Sequence, residues 1–82
     1  MEFKYTVVEA KRFLVDKYIK DITLAKEVKF TIEMIEKELD KISDPNSTKL
    51  DRELAEMALE MWQFQLDDNI DMLNRRGVVS HE

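Results

Sequence analysis

The chain has 82 residues, 18 Asp and Glu against 13 Lys and Arg, a net charge of −5, one glycine, one proline and no cysteine. A single small domain of this size sits near the limit at which one core sustains a fold alone. The composition excludes a disulfide framework and thiolate chemistry, disfavours a loop-rich or all-β fold because breakers are so rare, and opposes non-specific binding of nucleic acid.

Residues 1–5 read as a short lead within "MEFKYTVVEAKRFL", where charges among the apolar residues argue against a signal peptide. No apolar run approaches the roughly 20 residues of a membrane span, so a cytoplasmic protein without membrane contact is expected. Thr6 opens the first helix: in "TVVE" its hydroxyl can accept from the Glu9 amide while Glu9 reaches back, a capping box. From there an apolar stripe runs Val7, Ala10, Leu14, Tyr18, Ala25, Val28, Ile32, Ile35, Leu39 and Ile42. From Ala25 its steps alternate three and four, the spacing of a helix packed on a neighbour. The spacing predicts one long helix over about 6–42. Asp21-Ile22-Thr23 interrupts the stripe, so a break near 21–23 is the alternative. Residues 43–48 form the loop, with Asp44-Pro45 and Asn46-Ser47 as turn chemistry and Ser47 or Thr48 as the next cap. A second helix is predicted over about 49–76, with Arg75 and Arg76 in its last turn, Gly77 as its left-handed stop and 77–82 as a flexible tail.

The predicted architecture is an all-α, antiparallel helical hairpin within a single domain, 1–82. On the second helix Leu50, Leu54, Met57, Met61 and Phe64 share one face. Ala55, Leu59, Trp62, Leu66, Ile70 and Leu73 share another, about 150° away at 100° per residue. One partner helix cannot cover both. The Phe64 face is expected to pack on the first helix. Leu59, Trp62, Leu66, Ile70 and Leu73, with Val8, Val15, Ile19 and Ile22 of the first helix, are then expected to mediate self-association. Two chains pairing this way make a homodimer, a four-helix bundle with two-fold symmetry. The alternative is a monomeric three-helix bundle in which the first helix breaks and folds back.

Two E-x-x-E pairs stand out: Glu33 and Glu36 in "EMIE", Glu53 and Glu56 in "ELAE". On antiparallel helices four such carboxylates can gather around Mg²⁺, which prefers oxygen ligands. With "RELAEMALEMWQFQL" these pairs resemble the MazG-like nucleotide pyrophosphohydrolases, an all-α oligomeric family; Glu56 stands where that family has Asp. The resemblance implies Mg²⁺ held by Glu33, Glu36, Glu53 and Glu56. A second pattern, "LAKEVKFTIEMIEKEL", has the outline of a helix-turn-helix with Lys29 at the turn. Its recognition helix would turn Glu33, Glu36 and Glu38 toward phosphates, the wrong sign for DNA.

His81 is the only histidine, and the loop serines have no histidine-based relay, so no catalytic residue is expected from them. The second helix carries an acidic side made by Glu53, Glu56, Glu60, Asp67, Asp68 and Asp71. Such a strip suits a basic groove on another protein, including one that normally holds nucleic acid. In size and charge the chain resembles phage-encoded inhibitors of nucleic-acid enzymes. The leading expectation is therefore a non-enzymatic, cofactor-free acidic protein that self-associates and regulates a protein partner, without touching nucleic acid directly. The alternatives are a Mg²⁺-dependent pyrophosphohydrolase and, last, a DNA binder.

Overall fold

Helix α1 (Val7–Asp16) begins at the predicted capping box. The Glu9 amide donates to Thr6 Oγ1 at 3.1 Å, and the Thr6 amide donates to Glu9 Oε1 at 3.2 Å. The computed structural model describes residues 3–16, 18–76 and 78–79 of the chain. After α1 come β1 (Tyr18–Ile19), α2 (Ile22–Ser43), α3 (Lys49–Arg76) and β2 (Val78–Val79). The chain is all-helical in architecture: α2 and α3 form a long antiparallel pair, and α1 folds back to pack on α2. The molecule measures 50 × 20 × 19 Å.

The continuous helix expected over 6–42 is thus two helices, and the three-helix alternative fits the structure. The break lies between the end of α1 at Asp16 and the start of α2 at Ile22, slightly before the predicted position. Its physical cause is local and distant at once. Asp21 takes an extended backbone, φ −90° and ψ 90°, and its Oδ1 accepts from the Leu24 amide at 3.0 Å, an N-cap for α2. Just upstream, Tyr18 and Ile19 pair antiparallel with Val79 and Val78, so their backbones bond to the far end of the chain. Residues 78–79 of the expected tail sit in that pairing. Gly77 and His81 lie outside the described residues.

The loop and the start of α3 follow their turn chemistry. The Asn46 amide donates to Asp44 Oδ1 at 2.9 Å, and the Ser47 amide to Asp44 O at 3.1 Å. Thr48 caps α3 in a second reciprocal pair: the Asp51 amide donates to Thr48 Oγ1 at 3.1 Å, and the Thr48 amide to Asp51 Oδ2 at 3.2 Å. The core joins Ala10 of α1 and Leu24, Val28, Ile32 and Ile35 of α2 to Leu66, Ile70 and Leu73 of α3. Tyr5, Val7, Phe13, Leu14, Ile19, Leu59, Trp62 and Met72 pack around it, partly buried. Folding α1 back is what closes this core, because Ala10, Phe13 and Leu14 cover apolar surface that the α2–α3 pair alone leaves open.

Helix α2 runs unbroken through Lys29. Thr31, two residues on, is buried within the helix, and its hydroxyl donates to Glu27 O at 2.8 Å. That segment contains no turn, which corrects the helix-turn-helix outline.

Candidate functional site

The faces of α3 are reversed relative to the sequence expectation. Leu66, Ile70 and Leu73, expected at a self-association surface, are completely buried within the chain. Leu59 and Trp62 are half-buried against the same core, and Trp62 meets Phe30 of α2 edge to face, ring centroids 5.9 Å apart. Ile19 also packs on the core, while Val8, Val15 and Ile22 are exposed. The strip expected to pack on the first helix, Leu50, Leu54, Met57, Met61 and Phe64, faces solvent. Exposure runs from 45% at Phe64 to 72% at Met61. A helical wheel puts this strip almost diametrically opposite Leu66, about 160° away on average. Helix α2 meets the strip at one border, where Leu54 lines a cleft with Glu38 and Lys41.

Five large apolar side chains at these exposures make a patch of roughly 500 Å², within the size range of the largest patches on monomeric proteins, which are often functional. One edge of it is acidic. Glu53, Glu56 and Glu60 are exposed, and Asp68 is exposed further along. Glu53 lies 4.0 Å from Lys49 one turn earlier, a solvated pair of small energetic weight.

The acidic side does not act as one unit. Asp67 and Asp71 are occupied by the chain's own lead. Asp67, buried, accepts the Lys4 amide on Oδ2 at 2.9 Å and the Tyr5 amide on Oδ1 at 3.2 Å. Asp71 pairs with the Lys4 ammonium and accepts the Tyr5 hydroxyl at 3.0 Å. Phe3 lies edge-on to Phe64, centroids 5.3 Å apart. The Lys4 hydrogen bond, then that from Tyr5, holds the Asp71 carboxyl below its ordinary value. The Lys4 ammonium is raised by its hydrogen bond to Asp71, and the Tyr5 hydroxyl is raised by burial and then by Asp71. Sequence reasoning missed this clasp. The signal available was "FKY" itself, two aromatics around a lysine ahead of an acidic helix.

The four glutamates of the suggested metal set fall in separate places. Glu33 and Glu36 border a cleft of about 480 Å³ between α1 and α2, with Lys11, Leu14, Val15, Lys29 and Ile32. There Glu36 Oε2 accepts from the Lys11 ammonium at 3.0 Å. Glu53 is on the outer side of α3, and Glu56 borders a cleft beside Phe3, Leu59, Glu60 and Gln63. Among the described residues no group of three or more His, Cys, Asp or Glu side chains is placed to hold a metal ion. Among them, too, no helix is long and apolar enough to cross a membrane. Comparison with protein-family models, characterised proteins and solved structures finds no match for this chain.

Proposed function

We propose that this protein is a non-enzymatic binding protein that docks the outer face of α3 on a basic surface of another protein, as an inhibitor or regulator of a nucleic-acid-binding site. One observation carries the reading: on a single helix, an apolar strip turned away from the core is edged by the exposed carboxylates of Glu53, Glu56 and Glu60. Apolar area supplies the favourable burial, and the carboxylates select a partner of opposite sign and speed its approach. Asp67 and Asp71 serve the chain's own lead instead, so the docking face narrows to the N-terminal two-thirds of α3. The test is affinity capture with the chain and with a Glu56→Lys/Glu60→Lys variant. The unaltered chain is expected to retain basic proteins that elute with salt, and the variant to lose them; equal retention by both overturns the reading.

The same strip supports self-association as a second reading, because its four-three spacing is that of paired helices. The dimeric bundle then forms through Leu54, Met57 and Met61 rather than through Trp62 and Leu66. Light scattering at low micromolar concentration decides it: a dimer that Met57→Lys dissociates supports this reading, and a monomer removes it.

A further inference from the structure

Leu50, Leu54, Met57, Met61 and Phe64 repeat in steps of four, three, four and three. This is two turns of the heptad, with Leu50, Met57 and Phe64 at d and Leu54 and Met61 at a. The seam is about 21 Å long at 1.5 Å per residue, the length of one short helix laid alongside. The positions bordering it are then set. Glu53 and Glu60 fall at g, and Asp51, Ala58 and Gln65 at e.

Those borders discriminate among occupants. A second copy running antiparallel sets Glu53 against Glu60 of its partner, a like-charge pair on both sides of the symmetry axis. A second copy running parallel sets Glu53 against Ala58 and Glu60 against Gln65, with no ion pair gained. Only a helix with cations at its own flanking positions converts the two glutamates into attractive contacts. The chain supplies its own example of this chemistry. Where the same side of α3 continues past Phe64, its occupant is an aromatic ring on Phe64, a lysine on Asp71 and a tyrosine hydroxyl on Asp71. The covered and uncovered stretches join at Phe64, which touches Phe3 and still has nearly half its surface exposed.

We infer that the Leu50–Phe64 seam binds one amphipathic helix of another protein, with apolar residues at heptad spacing and Lys or Arg flanking them. This rests on the reading of a basic partner and adds the partner's secondary structure and register. The apolar positions of the incoming helix sit between Leu54, Met57 and Met61, and its cations reach Glu53 and Glu60.

The experiment is calorimetric titration of the full chain with three synthetic peptides of three heptads each. The first has Leu at a and d with Lys at e and g; the second has Glu in place of those lysines; the third scrambles the first so that no helical stripe survives. Micromolar binding of the first peptide, with the other two at least about tenfold weaker, is the expected result. Met61→Lys should weaken the first peptide by about tenfold or more, and Glu53→Lys/Glu60→Lys should do the same. Unchanged circular dichroism and melting of both variants shows that the loss is local; these positions are solvent-facing, and the two variants check each other. Equal binding of the first and scrambled peptides overturns the helix and leaves the basic partner standing. Binding of none of them, in a chain that scatters as a monomer, overturns both. A chain that is dimeric, becomes monomeric with Met61→Lys and binds none of the peptides assigns the seam to a second copy and overturns the inference.

Discussion

Tyr5 and Asp71 lie 66 residues apart in the chain, and the tyrosine hydroxyl donates to the carboxylate at 3.0 Å. With the Lys4 ammonium on the same carboxylate, this contact ties the lead to the last third of α3. It also makes the clasp respond to pH at both ends of the scale. The Asp71 carboxyl sits below its ordinary 3.8 in the folded chain, so its contribution is fully present above 3.8 and disappears as pH falls through the lowered value. Lys4 and Tyr5 sit above their ordinary 10.5 and 10.0. Their contributions are present below those values and disappear as pH rises past the raised ones. The ring resonances of Tyr5, whose hydroxyl donates to Asp71, should hold a plateau between these limits when followed by NMR across pH. Asp71→Asn should flatten the acid side, and an acid limb that persists unchanged in this variant rejects the assignment.

The reversed faces of α3 give a second prediction. Leu66→Ala and Ile70→Ala remove completely buried side chains and should each cost about 2–5 kcal/mol in urea unfolding. Met57→Ala and Met61→Ala, both solvent-facing, should stay within about 0.5 kcal/mol. Comparable losses at Met61 and Leu66 at low protein concentration would mean that the strip is buried too.

Asp21 sets the start of α2 and with it the point where α1 turns back. Replacing it with alanine removes the acceptor for the Leu24 amide and should cost about 1 kcal/mol. For a domain of this size that lowers Tm by about 4–8 °C. An unchanged melt would place the cause of the break entirely in the Tyr18–Val79 and Ile19–Val78 pairing.

Gln63 offers a stabilising change. Its Oε1 is buried without a hydrogen-bond partner among the described residues, beside the cleft lined by Phe3 and Leu59. An unsatisfied buried acceptor costs about 1–3 kcal/mol, and methionine matches glutamine in length without the polar atom. Gln63→Met should raise the urea midpoint, with the gain near 1 kcal/mol; a lower midpoint would show that the amide is satisfied in solution.

The sequence by itself determined the helical class, the loop and three of the helix ends. Thr6 with Glu9, Asp44 with Asn46, and Thr48 ahead of Lys49 act within a few residues of one another, so their chemistry is readable in one dimension. It also showed that α3 is apolar on two faces. Which of them turns inward was decided only in three dimensions, because Leu50–Phe64 and Leu59–Leu73 are comparably apolar and periodicity cannot rank them. The choice belongs to distant segments. Phe3, Lys4 and Tyr5 dock on Phe64, Asp67 and Asp71, and Tyr18 and Ile19 pair with Val79 and Val78. Those contacts fold α1 back over the Leu66 face and close the core there. The Met61 strip, on the far side of the same helix and met by Phe3 at its Phe64 end, is otherwise left to solvent and to whatever binds it.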